Sequence, residues 1–222
     1  MREIEINKII RSRRRTLALV ITKDALLEVR APFYAPLNYI LKFVKQKQHW
    51  IRRKQEFILE NIVKNTPKKF LDGEEFLHLG KTYPLKIFDA NKIVLADCLH
   101  FPSILLGDAK KYLTKWYKQQ AEEIITERVV WYANLVGLKY KTIKITSAKT
   151  RWGSCGVHGN LNFTWRLIMA PPDVVDYVVV HELAHLVVHN HSKRFWLKVE
   201  DIMPNYKEKR VWLRKNGKSL GF

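Results

Sequence analysis

His181 and His185 stand four residues apart, and Glu182 directly follows the first. On a helix that spacing projects both imidazoles from one face, a turn apart, where they can meet one zinc ion. Glu182 can then reach the water on that ion without being a ligand. The chemistry implied is hydrolysis. Zinc brings the pKa of its water toward ~7, Glu182 takes the proton as the water attacks a carbonyl, and the leaving amine receives it. Val178, Val179 and Val180 precede these residues and Leu186, Val187 and Val188 follow them, and no Lys or Arg occurs over 174–188. A helix framed in this way is buried. Two histidines and a glutamate on it are costly unless paired or coordinated.

Catalytic zinc takes three protein ligands and keeps a position for water. The candidates for the third are His189, His191, Glu200 and Asp201. A continuous helix would carry His189 to the same side but too far along the axis. His191 is favoured, provided that the helix ends before it, and Glu200 on a following helix is the alternative. Asn190 tolerates left-handed backbone, and Ser192 can cap a new helix over 193–199. A developing oxyanion needs one more donor beside the metal, for which Arg151, Tyr177, Arg166 and His189 are candidates. A peptide would add to a sheet edge, and Leu161, Asn162, Phe163 and Thr164 form the candidate strand.

The elements that must position these residues follow from periodicity. Strands are expected over 16–22 and 26–31, joined by a turn at Lys23-Asp24. Pro36 opens a helix carrying Leu37, Ile40, Leu41 and Val44, and Trp50, Phe57, Ile58, Asn61 and Ile62 mark another. A hairpin is expected at 76–79 and 83–87 around Gly80-Lys81, with a further strand at 93–96. One apolar stripe through Leu113, Trp116, Tyr117, Ala121, Ile124, Ile125, Val129 and Tyr132 predicts a long helix over 105–136, stopped by Gly137. A strand follows at 142–145, a glycine-bearing turn or extended loop at 151–156, and one or two strands over 161–168. Pro171-Pro172-Asp173 opens the helix that carries His181. The fold class predicted is α+β. An N-terminal β-rich module with a helical insert (1–100) precedes a module with a short sheet and an active-site helix (101–222).

Composition bounds the function. With 47% hydrophobic residues in 222, the chain can bury a core, which excludes wholesale disorder. Lys and Arg number 40 against 21 Asp and Glu, a net charge of +19. This excess is spread as +8 over 1–60, +4 over 61–120 and +7 over 121–222. It favours anionic partners, so non-specific binding of nucleic acid or nucleotides is expected of a basic surface, with Arg11 to Arg15 the densest patch. Cys98 and Cys155 are the only cysteines, which excludes a disulfide scaffold and a thiolate-rich zinc site and fits a reducing, cytoplasmic compartment. Cys155 reads as a buried structural thiol, and His49, His78, His100 and His158 have no ligand-like spacing. The opening residues carry no targeting pattern, no apolar run reaches membrane-spanning length, and no phosphate-binding GxxxxGK[ST] loop is present.

Several stretches resemble one known family. They are Arg151-Trp152-Gly153-Ser154-Cys155, Asn162-Phe163-Thr164-Trp165-Arg166 running to Pro171-Pro172, Asp176-Tyr177 through His181-Glu182 to His185-Leu186, Asn190-His191-Ser192, and Phe195-Trp196. The N-terminal Arg13-Arg14-Arg15-Thr16-Leu17 and Val29-Arg30-Ala31-Pro32 extend the likeness over nearly the whole chain. It is similar to the YgjP-like metallopeptidases, which are related to the SprT-like and WLM zinc metalloproteases. The resemblance implies a zincin-like module holding Zn2+, with His181, His185 and His191 as ligands, Glu182 as base, and a peptide or protein substrate. The histidine spacing is also like that of metzincins, but Val188 stands where those enzymes have a turning glycine. The turn before His191 is then expected around Asn190. Some members of the family are labelled as nucleotide pyrophosphatases acting on UTP, and some SprT-like relatives cleave proteins bound to DNA. These are the alternative functions.

Overall fold

The computed structural model describes residues 4–64 and 67–222, with the backbone alone over 60–64. Residues 1–3 of the N-terminal stretch and the side chains of Asn61 and Ile62 lie outside the described residues. The chain forms two compact units, Met1–Thr66 and Pro67–Phe222.

The first unit carries strands β1 (Lys8–Ser12), β2 (Ala18–Ile21) and β3 (Leu27–Pro32), then helices α1 (Leu37–Gln46) and α2 (Gln48–Lys64). The central strand β3 pairs in parallel with β1 and antiparallel with β2. Its alternation buries Leu27, Val29 and Ala31 against Ile40, Val44 and Ile51 of the helices, and Glu28 and Arg30 take the other face. Strand β1 was not among the expected elements. Arg11 near its end donates from Nη1 to the carbonyls of Phe33 and Ala35, both at 2.8 Å. The first residue of the densest basic cluster thus fastens the turn that leads into α1.

The second unit begins with β4 (Glu75–His78), β5 (Lys81–Phe88), β6 (Val94–Leu95) and β7 (Leu99–Pro102), in the order β4-β5-β7-β6. A 3-10 turn over Ser103–Asp108 leads into α3 (Ala109–Leu135), which buries Leu113, Tyr117, Ala121, Ile125, Val129 and Tyr132 of the expected stripe and leaves Trp116 and Ile124 partly buried at its margin. Next come β8 (Thr142–Thr146), β9 (Gly153–Cys155) and β10 (Asn160–Thr164), then α4 (Pro172–Ala184), α5 (Lys193–Ile202) and α6 (Tyr206–Asn216). The fold class is α+β. The compact units divide at 66/67 rather than near 100, because Phe76, Leu85, Leu99 and Phe101 share one buried core with α3, β10 and α4.

Two further expectations are corrected. The segment 161–168 is a strand only to Thr164, and a 3-10 turn follows over Trp165–Met169. Trp165, Leu167, Ile168 and Met169 are all buried in that turn, so its apolar run imitates a strand. Moreover, β10 is the central strand of β8-β10-β9, parallel to β8 and antiparallel to β9. With both sides paired, Leu161, Asn162, Phe163 and Thr164 are not an edge that a peptide can join. The position beside the free side belongs to β9, within 151–156, where a turn or extended loop was expected.

Helix α4 is anchored at its start and middle. The β4–β5 turn docks beneath it: Leu79 N–H donates to the Ile168 carbonyl at 2.7 Å and Gly80 N–H to that of Met169 at 3.2 Å. Gly80 has φ +77°, and a Cβ there would sit 2.9 Å from Pro171 Cα, so only glycine fits. Pro172 opens the helix, and Asp173 in its first turn pairs with Lys209 of α6. One turn on, Asp176 accepts both arms of the Arg128 guanidinium at 2.6 and 2.8 Å, tying α4 to α3.

Candidate metal centre

The end of α4 delivers His181 and Glu182, and His185 caps it with φ −67° and ψ −18°. The chain then turns over 186–188, with the Val187 and Val188 amides both donating to the Ala184 carbonyl. This reversal uses no left-handed residue. Among the described residues, positive φ outside glycine occurs only at Ala25, Phe70 and Leu79. Asn190 contributes through its side chain instead, since Oδ1 accepts from the Ser192 amide at 3.2 Å. Ser192 occupies the N-cap of α5 without a side-chain capping bond.

The reversal brings His191 onto the other two imidazoles. Its Nε2 lies 3.0 Å from His181 Nε2 and 3.2 Å from His185 Nε2. His185 Nδ1 lies 3.0 Å from the Val188 carbonyl and so carries the proton that it donates there. In the neutral ring its Nε2 is then a lone pair aimed at His191. Nitrogens about 2.0–2.1 Å from one tetrahedral ion are about 3.3 Å apart. The observed spacing and the convergence of lone pairs fit a divalent cation. The other candidates for the third ligand are engaged elsewhere or stand apart. Glu200 pairs with Lys207 at 2.8 Å, Asp201 with Lys198 at 3.1 Å, and His189 is exposed.

Aromatic rings of α5 hold the histidines in place. Phe195, fully buried, stacks on His185 with ring centres 4.4 Å apart and meets His181 edge-on at 4.9 Å. Trp196 stacks on His191 and on Tyr206, and the Arg210 guanidinium lies over its ring at 4.4 Å. His181 Nδ1 is buried without a hydrogen-bond partner.

Glu182 is only 5% exposed. It lies against Gly153 on β9, where a Cβ would fall 2.6 Å from both Cγ and Oε1 of the glutamate. The turn or extended loop expected over 151–156 gives Gly153 no such role. Its sole sequence signal is a glycine at a strand position, which marks close approach of another group.

Of the residues expected to contact substrate, Arg151 is exposed and close enough to Glu182 to pull its pKa down. Tyr177 packs edge-on to His181 at 5.9 Å and lines a cleft with Trp152, Lys207, Arg210 and Arg214. Burial pushes its phenol up to about 12, so it keeps its proton. Arg166 is committed elsewhere: it donates to the Ser147 carbonyl at 3.2 Å and lies over Trp165 at 4.5 Å.

Burial also sets the charge state of the metal-free site. It pushes Glu182 up to about 8 from an ordinary 4.5, against the pull of Arg151, and pushes His181 down to about 3 from 6.5. The positive charge of Arg210 nearby adds to the lowering of His181. The unfolded chain therefore holds the extra histidine proton between pH 3 and 6.5, so stability rises with pH there. The folded chain holds the extra glutamate proton between pH 4.5 and 8, so stability falls with pH there. The slopes oppose each other where the ranges overlap. Metal-free protein is expected to lose up to about 1.4 kcal/mol per pH unit above the overlap. Glu182→Gln is expected to abolish that loss. Urea titrations across pH check this, and an unchanged slope in the variant would contradict it.

A family model described as "YgjP-like, metallopeptidase domain" matches residues 15–216. No curated protein matches the chain. Two solved structures are similar to part of it. The metallopeptidase zymogen of Pyrococcus abyssi abylysin is 21% identical with a TM-score of 0.38, over 41% of this chain and 93% of that one. The metallopeptidase zymogen of Methanocaldococcus jannaschii jannalysin is 16% identical with a TM-score of 0.38, over 41% and 95%. Among the described residues, no helix is long and apolar enough to cross a membrane.

Proposed function

Because the chain belongs to the YgjP-like metallopeptidase family, a class of metal-dependent peptidases, we propose that it is a zinc peptidase with Glu182 as its general base. His181, His185 and His191 would hold the ion. The observation that carries this reading is the convergence of three imidazole Nε2 atoms beside a buried carboxylate. When bound, zinc supplies Lewis acidity to the scissile carbonyl and makes a water more acidic.

The remaining steps belong to the chain. Phe195 and Trp196 keep the three rings in register, and the Val188 carbonyl fixes the His185 tautomer. Glu182, pressed onto Gly153, takes a proton on its carboxylate and returns it to the leaving amine. Its buried surroundings favour the protonated carboxyl, which suits a group that must carry a proton between two steps. Arg151 and Tyr177 remain the candidate donors to a developing oxyanion.

Strand β9 replaces β10 as the proposed substrate edge. Gly156 N–H donates to Asn160 and Thr164 N–H to Trp152, both at 2.9 Å. Ser154 therefore faces Asn162 in the hydrogen-bonded set, and the amides and carbonyls of Gly153 and Cys155 point away from β10. An extended peptide laid along them passes Glu182. Stripping the metal from purified protein is expected to stop hydrolysis of an unfolded protein substrate, and about one equivalent of zinc at the histidine site to restore it. Full activity in the stripped protein would overturn the reading.

A further inference from the structure

The β6–β7 hairpin carries a second convergence of ligand atoms, within the second unit but built on other residues. Leu95 pairs with Leu99 and Val94 with His100, and the Ala96 amide donates to the Cys98 carbonyl at 3.1 Å, closing a tight turn. Cys98 ends the turn and directly precedes β7, which carries His100. Cys98 Sγ lies 3.2 Å from His100 Nε2, and that nitrogen lies 3.3 Å from Asp97 Oδ1. The third side of the triangle, Sγ to Oδ1, is 3.7 Å. The edge of Phe88 supports the imidazole, with ring centres 5.1 Å apart.

Hydrogen bonding must share the single Nε2 between two partners at nearly equal distances. A cation at the centre of the triangle engages all three atoms at once. For tetrahedral zinc, with sulfur at about 2.3 Å and nitrogen or oxygen at about 2.0–2.1 Å, ligand atoms are about 3.3–3.5 Å apart. Each observed side lies near that range. Cys98 is only 6% exposed, which shields the sulfur, while Asp97 is open to water and leaves room for a fourth ligand.

We propose that Asp97, Cys98 and His100 form a second metal site for a zinc-class ion. On binding, the Cys98 thiol gives up its proton to solvent and coordinates as thiolate. His100 keeps its proton on Nδ1 and binds through Nε2, and Asp97 contributes one carboxylate oxygen. The thiolate selects against magnesium and calcium. His100 has no ligand-like spacing to another histidine. The tight turn closed between Ala96 and Cys98 is what brings the thiol beside it.

The test is a titration of metal-stripped full-length protein with cobalt and then zinc. About two equivalents are expected to bind, one of them producing a thiolate-to-cobalt absorption band. Cys98→Ser is expected to remove the band and lower binding to about one equivalent, and Cys155→Ser to leave both unchanged. His181→Ala is expected to remove the other equivalent and keep the band, so this proposal and the peptidase reading fail separately. A wild-type protein without the band, or a band that survives Cys98→Ser, would overturn the second site. Should Cys98→Ser not fold, alkylation of the wild type gives the answer: zinc is expected to slow labelling of Cys98 at least about tenfold, and an unchanged rate overturns the site.

Discussion

Glu182→Gln is expected to lower peptide-bond hydrolysis by about 10²–10⁴-fold while the protein keeps its zinc. Glutamine has the same shape, so the packing against Gly153 survives and only the capacity to take a proton is lost. The change should not destabilise the fold either. At neutral pH the metal-free site already holds Glu182 in its protonated, uncharged form, since burial pushes the carboxyl up to about 8. Steady-state kinetics on a peptide substrate, together with the zinc content of the same sample, decide the matter. A variant that retains zinc and wild-type turnover would remove Glu182 from the mechanism.

Gly153→Ala is expected to cost about 1–3 kcal/mol of stability by overpacking. It is also expected to cost about 10²-fold in hydrolysis by moving the base. Gly153 does not have positive φ, so alanine meets no backbone penalty and the substitution reports on space alone. The added carbon would lie 2.6 Å from Glu182 Oε1, and a buried side chain has nowhere inexpensive to go. Combining the two changes separates position from packing. With glutamine at 182, alanine at 153 should still destabilise but add little further loss of rate. Wild-type turnover in Gly153→Ala would show that the contact does not position the base.

The histidine spacing on an apolar helix made α4 and its first two imidazoles legible, because a 3.6-residue period and a buried face both leave marks in a linear pattern. The long stripe of α3 was legible for the same reason. What the sequence concealed is pairing across the chain. Nothing in 151–156 distinguishes a loop from a three-residue strand, and nothing in 161–164 distinguishes a central strand from an edge. The buried turn at 165–169 reads as strand because Trp165, Leu167 and Met169 are apolar at every second position, with Arg166 between the first two. The contact of Gly153 with Glu182 links positions far apart in sequence, so periodicity cannot reveal it. The turn before His191 is expected around Asn190 through backbone handedness, whereas the chain turns over 186–188 without a left-handed residue and Asn190 contributes through its side chain.

The three converging imidazoles all come from residues 181–191, whereas the glycine that seats Glu182 belongs to a strand formed much earlier in the chain. Contacts between near neighbours close quickly, and those between distant segments close slowly. Ion capture and base placement therefore have different contact orders. During folding, the histidine cluster can assemble as soon as α4 and the start of α5 form, while proton transfer awaits the docking of β9. On the proposed reading, a polypeptide built in this way would gain affinity for its ion before it gains the power to cut.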